Sequence, residues 1–228
     1  MTSPKTRTAL VLAGLATTGL LTACTSNSPT TYTTRTAHPT NLTAQDPADV
    51  YRQALTANAD AGSLRQRVDS PGRHSDLRIS ATECAGTITH DREGQFDLTV
   101  IGTQAWARAD TRAAASVGHR VPANRWIHAN TTHPLMRTLA GYCHLEQFTN
   151  TVRLTPDLDQ GPAIAGTPDS AVLISRDSPT TRYFITATSG RPRLLAIRSA
   201  DGETTRNSDF GTPINAHPPH PAHRAPRW

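Results

Sequence analysis

After Gly62 the apolar period of this 228-residue chain changes to two, and the segments that carry this period limit the fold more than any other feature. Leu77, Ile79 and Ala81 alternate with Asp76, Arg78 and Ser80; Phe96, Leu98 and Val100 alternate with Gln95, Asp97 and Thr99. Such alternation describes strands with one face on a core and the other in water. The turn-like Asp91-Arg92-Glu93-Gly94 between them makes the pair a hairpin, and Gln104 to Ala109 reads as a third strand beyond the break at Gly102. Upstream, Asp46-Pro47 looks like an N-cap with proline in the first turn. Val50, Ala54, Ala57 and Ala61 then follow at helical spacing, with Asn58 and Asp60 off the stripe. Asp110 to Val117 predicts a short helix, Trp126-Ile127 an extended piece, and Pro134 to Val152 one or two helices carrying Leu135, Leu139, Leu145 and Phe148. Ala171–Ser175, Arg182–Ala187 and Leu194–Arg198 predict further strands, with a last one near Phe210. The order of helix, strands, helices and strands predicts an α+β fold in which a curved antiparallel sheet carries helices on its concave face.

The ends of the chain read differently. Lys5 and Arg7 precede an apolar run from Ala9 to Leu21, which closes on Leu21-Thr22-Ala23-Cys24. That run has about 13 residues, against roughly 20 needed to span a bilayer as a helix. The segment resembles the lipobox signal of bacterial lipoproteins. The resemblance implies a signal peptide over residues 1–23, a diacylglyceryl thioether on Cys24, and a mature protein held on the extracytoplasmic face of the cell membrane. A diacyl group exceeds the marginal binding that a single acyl chain provides. Residues 24–45, rich in Thr, Ser and Pro, predict a disordered tether, and the Pro/His-rich residues 214–228 a disordered tail. A single domain then occupies residues 46–213.

With Cys24 assigned to lipid, Cys84 and Cys143 remain. In an oxidising compartment such an even pair reads as a disulfide. A metal pair or a redox dithiol is the alternative, without a C-x-x-C motif to support it.

The balance of 23 basic to 18 acidic residues falls to 21 against 18 once Lys5 and Arg7 leave with the signal. This mild excess is spread along the chain with no basic stripe, so nucleic acid is not the expected partner. No nucleophile elbow, H-E-x-x-H, P-loop or dinucleotide fingerprint occurs. The carboxylate pairs Asp157/Asp159 and Asp201/Glu203 fall in turn-rich sequence, and His74, His90, His119, His128, His133 and His144 are scattered without ligand spacing. His217, His220 and His223, at three-residue spacing in the tail, could grip a metal loosely, but no carboxylate or cysteine joins them and a solvated tail is the favoured reading. No catalytic residue, metal site or cofactor is expected. Trp106 and Trp126 read as core anchors rather than as pocket walls.

Taken with the lipobox and tether, the segment order continues through Val100-Ile-Gly-Thr-Gln-Ala-Trp106-Ala-Arg-Ala-Asp110, Arg125-Trp126-Ile127 and a closing meander near Phe210-Gly211. In this order the chain resembles actinobacterial exported lipoproteins of the LppX/LprG type, related in fold to the LolA and LolB carriers. The resemblance covers about residues 46–213. It implies a half-barrel around an apolar cavity that holds acyl chains, and hence a non-enzymatic binder or carrier of a lipid, glycolipid or other apolar ligand. The inward faces expected to meet such a ligand carry Leu77, Ile79, Phe96, Leu98 and Val100. The alternative is a cell-envelope interaction or sensing module with a solid core, whose protein partner the sequence does not identify.

Overall fold

The structure is a computed structural model that describes residues 44–118, 121–144, 158–161, 170–175, 182–187 and 191–225. The expected signal peptide, Cys24, residues 25–43 of the tether, and residues 145–152 of the predicted helical stretch lie outside them.

The first helix, α1 (Pro47–Asp60), starts where the Asp46 carboxylate accepts from the Ala48 amide at 2.8 Å, with proline next to it in the first turn. Its buried side is Val50, Tyr51, Ala54, Leu55, Ala57 and Asn58. Asn58, expected off the stripe, is fully enclosed. Its Nδ2 donates to the Leu194 carbonyl at 3.1 Å and its Oδ1 accepts from the Leu194 amide at 3.2 Å, so one side chain satisfies both backbone groups of a strand residue.

A meander of five antiparallel strands follows: β1 (Ser63–Ser70), β2 (Arg73–Ser80), β3 (Glu83–His90), β4 (Gly94–Ile101) and β5 (Gln104–Ala109). Next come α2 (Thr111–Val117), β6 (Trp126–Asn130) and α3 (Pro134–Ala140), which runs into a 3-10 turn at Gly141–Cys143. The Asp110 carboxylate caps α2 by accepting from the Ala113 amide at 2.7 Å. The second group is β7 (Leu158–Gln160), β8 (Ser170–Ser175), β9 (Arg182–Ala187), β10 (Leu194–Ser199), β11 (Thr204–Ser208) and β12 (Ala222–Arg224).

These strands form one unclosed, curved sheet in the order β12-β6-β5-β4-β3-β2-β1-β11-β10-β9-β8-β7. β1 sits at its centre, because it pairs with β2 on one side and with β11 on the other. All pairings are antiparallel except β12 on β6. The predicted last strand is therefore Thr204–Ser208 and ends before Phe210.

The C-terminal segment corrects the sequence reading. Residues 214–228 were expected to form a disordered tail, yet Ala222, His223 and Arg224 pair with Trp126, Ile127 and His128, and Ala225 is buried. Proline cannot donate to a ladder, but an edge strand needs donors on one side only, and no proline falls within Ala222–Arg224 itself.

Following the register sorts the residues onto two faces. Leu64, Ile79, Cys84, Val100, Ala105 and Ala129 form one lateral row. Asn207, Gln66, Leu77, Gly86, Leu98, Ala107 and Ile127 form the next. Ile197, Thr205, Val68, Ser75, Ile88, Phe96 and Ala109 form a third. All three rows lie on the concave side that the helices cover, α1 over β7, β9, β10 and β1, and α2 and α3 over β4 and β5.

Candidate functional site

The helix-facing side of the sheet carries most of the buried apolar residues, and among the described residues these form two clusters. The larger joins Leu77, Ile79, Cys84, Ile88, Phe96, Leu98, Val100 and the inward alanines of β5 to Ala113 of α2 and Met136 and Leu139 of α3. The smaller joins Val50, Tyr51, Ala54 and Leu55 of α1 to Leu158, Leu173 and Leu194. The five residues expected to meet an apolar ligand thus all belong to the larger cluster, between 0% and 8% exposed. Cys84 and Cys143 are joined by a disulfide, which ties the inner face of β3 to the turn after α3.

Between the clusters run the middle strands β11 and β1, where Asn207, Thr205 and Gln66 point inward beside Leu64 and Val68, and Ser75 of β2 joins them. Asn207 stands opposite Gln66, and Thr205 and Ser75 flank Val68. Asn207, Thr205 and Ser75 are buried, while Gln66 and Val68 are half-buried. This strip went unread in the sequence. Its signal is the inward alternation of β1 and β11, where Gln66, Asn207 and Thr205 take places that Leu or Val hold in β2 and β4.

The opposite face of the sheet is charged. Arg65 grips Asp76 through Nε at 2.7 Å and through its terminal nitrogen at 2.6 Å, and Arg67 adds a bond to Asp76 at 3.0 Å. Arg108 pairs with Asp97 at 2.6 Å, and Arg206 with Asp69 at 3.2 Å. The hydrogen bonds from Arg65, with a further one from Arg67, hold the Asp76 carboxyl below the usual carboxylate range against the opposing effect of burial. A carboxyl with a lowered folded-state pKa contributes stability that is present above its unfolded value, near pH 4, and lost as pH falls through the folded value. Urea midpoints measured from pH 6 to pH 2 are expected to fall more steeply for the wild type than for Asp76→Asn; equal slopes would remove this pair from the acid response.

Trp106 and Trp126 lie on this outer face, half-buried, and not in the core as expected. Trp106 stacks on His128 with ring centroids 4.9 Å apart, and the Arg108 guanidinium stands 5.3 Å from the Trp126 ring centre. Their neighbours Ala105, Ala107 and Ala109 take the inward places, where small side chains let α2 and α3 approach the sheet.

Two open clefts lie elsewhere. One of about 510 Å³ runs along the exposed side of α1 beside Arg191 and Pro192. Another of about 500 Å³ lies at the β1–β2 turn near Arg73, His90 and Glu203. Among the described residues no cluster of three or more His, Cys, Asp or Glu side chains is arranged to hold a metal ion. No described helix is long and apolar enough to cross a membrane.

The architecture defines a class: mixed α+β proteins built on one large, curved, unclosed sheet with its helices on the concave side. Among solved structures, LprF from Mycobacterium bovis shares this fold at 8% sequence identity with a TM-score of 0.51, over 76% of this chain and 96% of that one. The lipoprotein LppX from Mycobacterium tuberculosis aligns at 16% identity with a TM-score of 0.49, over 75% of this chain and 98% of that one. No family model matches the chain, and no curated protein sequence does.

Proposed function

We propose that the protein is an extracytoplasmic lipoprotein, anchored in the cell membrane through diacylglyceryl-Cys24, which binds a lipid or other apolar ligand against the concave side of its sheet and performs no covalent chemistry on it. The observation that carries this reading is the division of the inner face. A domain of this size normally builds one contiguous core, whereas here two apolar clusters flank a strip where Val68 is only half-buried. An acyl chain laid along that seam gains roughly 25 cal/mol for each Å² of apolar surface removed from water. The wall beside it is the sheet face that bears Leu77, Ile79, Phe96, Leu98 and Val100. The fold shared with LprF and the lipobox at Cys24 are consistent with the same role.

The second reading is an envelope interaction module with a solid core, and the near-complete burial of those five residues favours it. The test is direct. The full chain is purified from membranes, its freely associated lipid is extracted with organic solvent, and the extract is quantified by mass spectrometry. About one lipid per protein is the expected result, with metabolic palmitate label on the wild type and none on Cys24→Ser. A folded protein that yields no associated lipid would replace the carrier by the interaction module.

A further inference from the structure

The polar strip on the middle strands has an unmet hydrogen-bonding requirement. Asn207 is 5% exposed. Its Nδ2 donates to the Leu194 carbonyl at 3.0 Å, which fixes the orientation of the amide, because the flipped group would set two oxygens against each other. Oδ1 occupies the other limb of the planar amide. It is buried and accepts from no donor. Gln66 stands opposite on β1, and one row along, Ser75 and Thr205 are each 9% exposed. Of the four, Asn207 is the one with a fully enclosed polar atom that lacks a partner. Buried polar groups in folded proteins are normally paired, so this acceptor, with three donor-bearing side chains beside it, calls for a polar guest.

We propose that this strip recognises the polar part of the bound lipid, and that the ligand is an amphiphile with a free hydroxyl that donates to Asn207 Oδ1. This rests on the lipid-binding reading above and narrows its substrate class. Oδ1 can only accept, which selects a donor on the ligand. The Gln66 amide and the two hydroxyls can donate, which suits ester carbonyls next to that hydroxyl. The apolar chains then lie along the clusters on either side. Because Oδ1 is enclosed, the hydroxyl reaches it as the helices part from the sheet; α1 covers this seam, its Asn58 sharing the Leu194 carbonyl with Asn207.

Two lipids that differ in this one donor test the assignment. The full chain in its Cys24→Ser form is offered equal amounts of 1,2-dioleoylglycerol and trioleoylglycerol in detergent, and retained lipid is quantified by mass spectrometry. The wild-type sequence is expected to retain dioleoylglycerol over trioleoylglycerol by about tenfold, the value of one hydrogen bond to an otherwise unpaired buried acceptor. Asn207→Leu is expected to bring the ratio close to one. Gln66→Leu, at a half-buried position that folding tolerates better, removes a donor to the ester carbonyls that both lipids carry, and is expected to lower retention of each about threefold while leaving their ratio unchanged. Equal retention of both lipids, a ratio that Asn207→Leu does not change, or retention that Gln66→Leu does not lower, overturns the assignment and leaves the carrier reading standing. Retention of neither lipid overturns it as well, and the lipid that co-purifies with the native protein then decides the carrier reading separately.

Discussion

Replacing Cys84 and Cys143 together by alanine is expected to lower the unfolding free energy by about 4 kcal/mol, the chain-entropy value for a loop of this length. The bridge spans 59 residues and encloses nearly all of β3 together with β4, β5, α2, β6 and α3, so of the larger cluster little beyond β2 and Ala225 lies outside it. It therefore holds α3 and its buried Met136 and Leu139 near β3 while the chain between them is still free to wander. In urea unfolding the double variant should lose a large part of its midpoint. Reducing agent should shift the wild type by a similar amount and leave the variant where it was. Coincident midpoints for reduced and oxidised wild type would show that packing alone fixes the helical layer. On the proposed extracytoplasmic reading, where small domains depend on such bridges, the same variant is expected to accumulate poorly in the envelope.

A second large effect is expected at Gly86, in the middle of β3. Its backbone has φ of 151°, and a Cβ built there would stand 2.0 Å from the carbonyl oxygen of Asp76 on β2. No rotamer relieves that contact, because the Cβ itself meets backbone. Gly86→Ala must push β2 and β3 apart between Leu77 and Leu98, the two residues that flank it in its row. Strain of this kind together with overpacking amounts to about 3 kcal/mol. Thermal unfolding of Gly86→Ala is the check, with Ala85→Gly on the same strand as a control; a melting temperature within a degree or two of the wild type would mean that the sheet absorbs the methyl group without cost. The position also bears on the proposed ligand seat, since Gly86 leaves a gap in side-chain height one strand away from the polar strip.

Where large apolar residues alternate strictly, the sequence was sufficient. β2 and β4 announce themselves through Leu77, Ile79, Phe96, Leu98 and Val100, and α1 through its Asp46-Pro47 start. β1 escaped detection, and β11 was expected only as a last strand near Phe210, for the reason that makes them interesting: Gln66, Thr205 and Asn207 occupy inward places, so the alternation exists in geometry but not in hydrophobicity. The run Ala105-Trp106-Ala107 fits either facing, and the expectation of a core tryptophan lost to the need for small residues beneath α2 and α3. Asn58 was misread because a polar residue on a helix stripe signals solvent until a strand amide and carbonyl are found beside it. The relation of the five apolar residues to a ligand was legible only through resemblance, since periodicity tells which face is inward and not whether that face meets a helix or a guest.

The parallel pairing of Ala222–Arg224 with β6 has a consequence for how molecules of this protein meet one another. An unpaired outer strand offers a ladder of amides and carbonyls to any neighbour, and β6 is spared that exposure by residues from the end of its own chain. On the far margin the outermost described strand, β7, is only three residues long and carries the charged Asp159. Shortening the polypeptide before Ala222 would strip one margin bare, and at high local concentration the price would be self-association through β6.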